Sequence, residues 1–305
     1  FLKPKIKSLF KKQEKKSDDS LWTACSCKNL ILKEDLEKNF FCCPKCGEHH
    51  KLTCLQRFDT FFDTKNYTVL ETPNPVDDDI GFKDKKSYKD RLKDARKVTK
   101  QTDTALIASG YVKGIKCTVG SMDFRFLGGS MGKHFGEAFL YACNYSLENK
   151  QPLIFFCTSG GARLMESTSG GLSQMARSVL GVNELKKENI PFIVVLCEPS
   201  TGGSLASWAS LGDFQISEKD VLNISFAGKR VVEQTIKETL PENFGTSDFQ
   251  KENGQIDLIV ERKYLNSAIG TLLNVILKTA ETKEKSVAND VENEITTKTF
   301  KSQSA

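Results

Sequence analysis

Three paired glycines stand at the ends of short apolar runs. They are Gly128-Gly129 after Cys117–Leu127, Gly160-Gly161 after Pro152–Thr158, and Gly202-Gly203 after Pro191–Cys197. Paired glycines take positive φ and let the backbone approach a ligand closely. A helix that follows turns its free N–H groups back toward the same spot. Three such strand–glycine–helix units offer main-chain amides that could converge on one developing negative charge, which is the chemistry of an oxyanion site. Side-chain chemistry has less support. Gly128-Gly129-Ser130-Met131-Gly132 satisfies the G-x-S-x-G nucleophile elbow, but a serine nucleophile needs a general base, ordinarily histidine. The three histidines are His49 and His50, in a cysteine-rich segment, and His134, four residues beyond Ser130. None follows His134, where the hydrolase order would place the base, so a catalytic triad is set aside. No G-x-x-x-x-G-K-[ST] and no G-x-G-x-x-G occurs, which leaves nucleotide hydrolysis and the usual dinucleotide cradle without support.

A second chemistry lies near the start. Cys25-Ser-Cys27 is followed, after fifteen intervening residues, by Cys43-Pro-Lys-Cys46-Gly, the pattern of a four-cysteine zinc ribbon in which a metal replaces the core that so short a segment lacks. The second pair is regular and its Gly47 suits a tight knuckle. The first has one residue between its sulfurs instead of two. Cys25, Cys27, Cys43 and Cys46 are the expected ligands of one zinc ion, with Cys42, His49 and His50 as spares for Cys25.

The elements that must position these residues follow from periodicity. Strands are expected at Ala105–Tyr111, Lys116–Phe124, Leu153–Cys157, Phe192–Cys197, Phe214–Ile216 and Leu222–Phe226, and helices at about 132–149, 172–188, 203–211, 229–240 and 265–281. Repeated strand, strand, helix reads as a spiral of stacked ββα units more than as a Rossmann fold. Expected boundaries are a basic disordered arm at 1–20, the ribbon at 21–50, a helical segment and linker at 51–85, a main α/β domain at 86–281, and a polar disordered tail at 282–305. Ser87–Arg96 reads as a charged helix with a solvated face. Charged residues make up 27% and apolar ones 39% of 305, ordinary for a globular protein, and no apolar run approaches the roughly 20 residues that span a bilayer. Phe1–Lys7 carries no signal-peptide pattern. Ten cysteines in this length do not suggest a disulfide scaffold, and Cys143, Cys157 and Cys197 sit in apolar patterns as reduced core residues. A reducing, cytoplasmic compartment is expected, with no membrane partner. Lysines at 3, 5, 7, 11, 12, 15 and 16 carry much of the net charge of +5, and a nucleic-acid-binding role for arm and ribbon stands as the rival reading.

These motifs, taken together, resemble a known family. Trp22-Thr23 with Cys43-Pro-Lys-Cys46, Tyr88-Lys-Asp-Arg-Leu92, Phe126–Gly132, Ser159–Arg163, Thr201–Ser204 and Phe226-Ala-Gly-Lys-Arg-Val231 occur in the order found in the β subunit of the bacterial-type acetyl-CoA carboxylase carboxyltransferase. The resemblance implies a crotonase-like (ClpP/crotonase) spiral with an N-terminal zinc ribbon. It also implies an α-subunit partner of related fold in an α2β2 assembly, working with biotin carboxylase and a biotin carboxyl carrier protein. The implied reaction moves a carboxyl group from carboxybiotin to acetyl-CoA, giving malonyl-CoA for fatty-acid synthesis; another acyl-CoA is the alternative acceptor. Implied oxyanion donors are backbone amides of Gly161, Ala162, Gly202 and Gly203, and implied substrate-binding positions are Gly128, Gly129, Ser159, Gly160 and Arg163. The Cys-x-Cys pair departs from the family's Cys-x-x-Cys.

Overall fold

Leu153–Cys157 and Phe192–Cys197 are apolar at every position because both faces of their strands are covered, as parallel central strands require. The computed structural model describes residues 21–77, 80–166 and 170–278. It divides after Glu48 into two units.

The first unit is built on a hairpin, β1 (Trp22–Ala24) with β2 (Leu30–Leu32), antiparallel, followed by α1 (Lys33–Lys38). The β1–β2 turn is closed by Cys25 N–H to Asn29 O at 3.0 Å and Lys28 N–H to Cys25 O at 2.9 Å. The second knuckle is closed by Gly47 N–H to Cys43 O and Cys43 N–H to Glu48 O.

The second unit begins with α2 (Cys54–Phe61), whose start is set by a reciprocal box. Thr53 Oγ1 accepts from Gln56 N–H, and the Gln56 side chain accepts from Thr53 N–H. Then come β3 (Thr68–Leu70), α3 (Tyr88–Thr99), β4 (Ala105–Val112), β5 (Ile115–Met122), α4 (Lys133–Asn149), β6 (Leu153–Ser159), α5 (Ser173–Lys187), β7 (Phe192–Thr201), β8 (Phe214–Glu218), β9 (Ile224–Ser225), α6 (Lys229–Ile236), α7 (Ser247–Glu252), β10 (Leu258–Val260) and helix α8 over residues 265–278. One sheet runs β10-β8-β7-β6-β5-β4-β3, with β9 on β7. β3, β4 and β5 pair antiparallel, and the pairs from β5 through β6, β7 and β8 to β10 are parallel. Alternation sorts the strands' side chains between two cores. Leu153, Phe155, Cys157, Phe192, Val194 and Leu196 pack with Phe135, Phe139 and Trp208. Ile154, Phe156, Ile193, Val195 and Cys197 pack with Phe58, Phe61, Leu265 and Ile269. Cys143, Cys157 and Cys197 are buried free thiols, and burial pushes the first two up to about 12.

A buried ion cluster pins the α2 side of the sheet. Glu218, fully buried at the end of β8, accepts from Arg57 Nη1 at 2.6 Å, Arg262 Nε at 2.8 Å and Arg262 Nη2 at 2.9 Å. His49 Nδ1 lies 3.3 Å from Glu218 Oε2, the oxygen that also accepts from Arg262 Nη2. Burial alone would push the Glu218 carboxyl up, but Arg262, Arg57 and His49 hold it well below the ordinary value.

Several expectations need correction. Residues 51–85 are not a segment apart from the main domain: Phe58, Phe61 and Phe62 are core and β3 is a sheet strand. No helix spans 203–211. Turns run to a short 3-10 segment at Trp208–Ser210, because Ser207 takes non-helical angles and its hydroxyl bonds back to Gly203 O. The helix expected to 240 stops at Ile236, with Lys237 left-handed at φ 58° and Pro241 close behind. The strand expected over Leu222–Phe226 is only Ile224–Ser225. The basic arm at 1–20 and the tail at 282–305 lie outside the described residues.

Candidate functional site

The three glycine pairs come together. Gly160 N–H donates to Gly128 O at 2.9 Å, joining the first pair to the second. Gly161 has φ +106°, and a Cβ there would stand 2.8 Å from Gly203 N. Gly202 has φ +66°, and a Cβ there would stand 2.9 Å from Gly160 O. Each turn therefore occupies the space a side chain on the other would need, and glycine is required at both.

Hydrogen bonding sorts the four candidate amides. Gly161 N–H is spent on Ser159 Oγ at 3.0 Å. Gly202 N–H is spent on Phe226 O at 3.0 Å and Ser225 O at 3.3 Å. Met131 forms a parallel bridge with Ala162, its N–H going to Gly161 O and its carbonyl accepting from Arg163 N–H, both at 2.8 Å. That geometry uses the neighbours of Ala162 and turns the N–H of Ala162 itself to the opposite side. Among the described residues, neither Ala162 N–H nor Gly203 N–H donates to a protein acceptor. A Cβ on Gly203 would stand 3.2 Å from Ala162 N, so the two amides are neighbours, and both residues are half-buried. Backbone N–H groups that reach a partly dry site without a partner are the donors an anionic oxygen would take.

Two details differ from the strand–glycine–helix plan. Only the first pair leads straight into a helix, α4 with Gly132 as its N-cap. After Ala162 the chain turns before α5, and after Gly203 it stays in turns. The available donors are turn amides, set by positive φ and side-chain ties, not helix N-termini.

Arg163 does not have the surroundings of a substrate-binding residue. Its side chain is buried (1% exposed) and its fork is filled: Nη1 and Nη2 meet the two Asp103 oxygens at 2.7 and 2.9 Å, Nη2 donates to Ser130 O at 2.7 Å, and Nε donates to Ser130 Oγ at 3.1 Å. Glu166 lies 3.3 Å from Nη1 and also accepts from the Tyr88 hydroxyl and from Lys133 N–H at the first turn of α4. Asp103, Tyr88, Glu166 and Met131 were not singled out from sequence for this network. A lone Asp between polar residues, or a Met in a turn, carries no signal of what it will meet. Ser130 and His134 engage different partners: Ser130 Oγ donates to Leu127 O at 2.8 Å, and His134 Nε2 lies 2.8 Å from Asp77. Ser159 is fully buried, its hydroxyl donating to Gly129 O at 2.7 Å. Gly128, at φ +68°, has open space where a side chain would be.

In the first unit the sulfurs of Cys25, Cys27, Cys43 and Cys46 all lie within 4.8 Å of one another. Cys25 is 3.5 Å from Cys46, and Cys27 is 3.9 Å from Cys43. A tetrahedral site with bonds of roughly 2.3 Å has sulfur–sulfur edges of about 3.8 Å, so the set fits zinc and the short Cys-x-Cys turn still delivers its first thiol. The Asn29 side chain, 3.2 Å from Cys27 Sγ, leads the effects that lower that thiol to about 6, whereas Glu48, 2.8 Å from Cys25 Sγ, raises Cys25. Of the spare ligands, Cys42 turns to Phe40 O, His49 to Glu218, and the His50 carbonyl accepts from Arg262.

A fold of this topology with abutting glycine turns is that of a crotonase-like carboxyltransferase. Residues 77–299 match the family model of the carboxyl transferase domain, and residues 22–46 match the acetyl-CoA carboxylase zinc finger domain. The chain belongs to the family of the acetyl-coenzyme A carboxylase carboxyl transferase subunit beta. Proteins of that name from Pelagibacter ubique, Hydrogenobaculum and Gluconobacter oxydans are 47%, 42% and 39% identical to it, over 95%, 89% and 91% of this chain and 92%, 97% and 95% of theirs. Among solved structures, the transcarboxylase 12S crystallised with hydrolysed methylmalonyl-coenzyme A superposes with a TM-score of 0.60 at 20% identity, covering 73% of this chain and 41% of that one. The Pseudomonas malonate decarboxylase MdcD–MdcE heterodimer gives 0.55 at 17%, covering 72% and 85%. These two show the shared fold. Among the described residues no helix is long and apolar enough to cross a membrane.

Proposed function

We propose that this chain is the β half of a two-subunit carboxyltransferase that works in the cytoplasm with an α subunit of related fold, in an α2β2 assembly, and carboxylates acetyl-CoA to malonyl-CoA. The observation that carries the reading is the pair of neighbouring, uncommitted amides at Ala162 and Gly203. When bound, carboxybiotin on its carrier protein supplies the carboxyl group and, once that has left, a basic ureido nitrogen. The protein then needs no side-chain base of its own, which agrees with His134 being held by Asp77 and Ser130 by Arg163. What the chain provides is charge stabilisation: Ala162 N–H and Gly203 N–H donate to the thioester oxygen as it takes on enolate charge, and the abutting turns keep both donors in place before substrate arrives. Gly128, Gly129 and Gly160 shape the floor against which the acyl group lies. Cys25, Cys27, Cys43 and Cys46 hold one zinc ion, which folds the ribbon and stays outside the chemistry.

The test is carboxyl transfer by the assembled complex. Gly203→Pro removes one donor and is expected to cost roughly two to three decades in kcat. Ser130→Ala and His134→Gln, in complexes that stay folded and assembled, are expected to cost less than about tenfold, far below the loss on removing a triad member. Full activity in Gly203→Pro, or abolished turnover in Ser130→Ala, would overturn the amide-driven mechanism. For the ribbon, elemental analysis should find one zinc per chain, lost in Cys43→Ser and kept in Cys42→Ser.

A further inference from the structure

Both donor turns are tied to one buried hydroxyl. Ser159 Oγ lies 2.7 Å from Gly129 O, 3.0 Å from Gly161 N and 2.5 Å from Ser204 Oγ. A serine hydroxyl has one proton and two acceptor lone pairs, so these contacts fix every direction. Gly129 O can only accept, which takes the Ser159 proton. Gly161 N–H and the Ser204 hydroxyl must then both donate to Ser159 Oγ. Neither serine is exposed to solvent, so no water competes for these bonds.

We propose that Ser159 and Ser204 are positioning residues, and that their shared hydroxyl–hydroxyl bond sets the separation of the two oxyanion donors. The inference rests on the reading of Ala162 and Gly203 as those donors. Ser204 directly follows Gly203, and Ser159 lies three residues before Ala162, so the bond joins the two turns within a few atoms of both amides. Ser159 also decides which amide of its turn is available. By taking Gly161 N–H it draws that group inward and leaves Ala162 N–H facing the other way. The sheet is irregular at this point: the β6–β7 register shifts between Cys157 and Ser159, and pairing resumes only at Ser159 with Ser200. Beyond that irregularity main-chain bonds tie each turn to its own neighbours, Met131 N–H donating to Gly161 O and Gly202 N–H to Phe226 O. Side chains add ties from one turn to the other, with Thr201 Oγ1 donating to Ser159 O at 3.1 Å beside the serine pair. A displacement of about 1 Å in a catalytic group is enough for losses near a hundredfold.

The experiment compares Ser159→Ala, Ser204→Ala and the double variant in the assembled complex, measuring kcat, KM for acetyl-CoA and the melting temperature. Ser204→Ala is expected to lower kcat about tenfold and Ser159→Ala about thirty- to hundredfold, with KM within about twofold, because the lost positioning acts on transition-state charge. The double variant should be no slower than Ser159→Ala alone, since both singles break the same bond. If Ser159→Ala does not fold, Ser204→Ala decides, because it leaves no backbone donor unpaired. An unchanged kcat in Ser204→Ala, a rise in KM at constant kcat, or losses that multiply in the double variant would each overturn the inference. Gly203→Pro separates the two readings. If it is fully active, the donor assignment falls. If it is inactive while the serine variants are unaffected, only the positioning role falls.

Discussion

The second unit holds two buried arginine clusters of opposite composition. Glu218 is one carboxylate between two arginines, Arg57 and Arg262, with His49 beside it. Arg163 is one guanidinium between two carboxylates, Asp103 and Glu166, with the Tyr88 hydroxyl beside it. Both are removed from water, and both satisfy most of their polar atoms within the cluster. Their attachments differ. The Glu218 cluster joins α2, the end of β8 and the 3-10 turn at Arg262–Tyr264, a fastening of elements across the sheet. The Arg163 cluster joins α3, the segment before β4, the start of α4 and the Gly128–Met131 turn to the residue that follows Ala162. Similar chemistry is used once to hold the sheet's covering helix and once to hold the turn that carries the proposed donor Ala162. Burial and charge pairing alone do not tell the two apart; what the cluster is fastened to does.

The largest expected effect that tests this contrast is Glu218→Ala. It leaves Arg57 and Arg262 buried without a counter-charge and should destabilise the fold by about 3–5 kcal/mol, seen as a large fall in denaturant midpoint. Any fraction that stays folded and assembled should keep the parent kcat within about twofold; a selective loss of kcat would erase the distinction between the clusters. Arg163→Lys is the converse. The positive charge remains between Asp103 and Glu166, but the planar fork that reaches Ser130 and Asp103 together is lost. A fall in kcat of about tenfold is expected, with a stability cost of about 1–2 kcal/mol from the lost charge-assisted bonds. A kcat unchanged at reduced stability would make this cluster a fastening like the other.

Acid titration sharpens the contrast further. The Glu218 carboxyl is held well below its ordinary value in the folded state, so the unfolded chain binds the proton first as pH falls. Its contribution to stability is complete above the unfolded value of about 4.3 and is lost as pH drops toward the folded value. Unfolding free energy measured below about pH 4.5 should decline less steeply in Glu218→Gln than in the parent protein. The smallest effect is expected from Tyr88→Phe, which removes one hydroxyl bonded to Glu166 and costs about 1 kcal/mol, with kcat within about threefold. A larger loss of kcat would place Tyr88 among the groups that set the turn.

The buried central strands and the cysteine quartet were legible in the sequence, because each depends on local pattern, whereas β3 and β10 at the two ends of the sheet were not. Apolar runs bounded by turn formers marked β6 and β7. The spacing of Cys43 and Cys46 marked a knuckle, and the repeated Gly-Gly marked turns that something approaches closely. The failures were local too. Leu205–Leu211 carries a helical pattern, yet Ser207 and Trp208 are claimed by tertiary contacts, Ser207 by Gly203 O and Trp208 by the aromatic cluster with Phe135, Phe139 and Phe155. Phe58, Phe61 and Phe62 lie in the helical segment expected from residue 51 onward, but nothing in the local pattern says which core receives them.

What the sequence determined by itself was that three glycine turns exist, that each follows a strand pattern, and that no histidine follows His134, where a serine hydrolase would place its base. Which amide of each turn remains free was decided only by the tertiary structure. The choice depends on partners far away along the chain: Ser159 with Ser204, Met131 with Ala162, and Phe226 with Gly202. The same holds for Arg163, for which the family resemblance implied a substrate contact and whose fork the fold fills with Asp103, sixty residues earlier. A hydrogen bond is satisfied by whichever group the fold brings within about 3 Å. Residue type states only what a group is able to donate or accept, and the fold alone decides which groups are left over for a substrate.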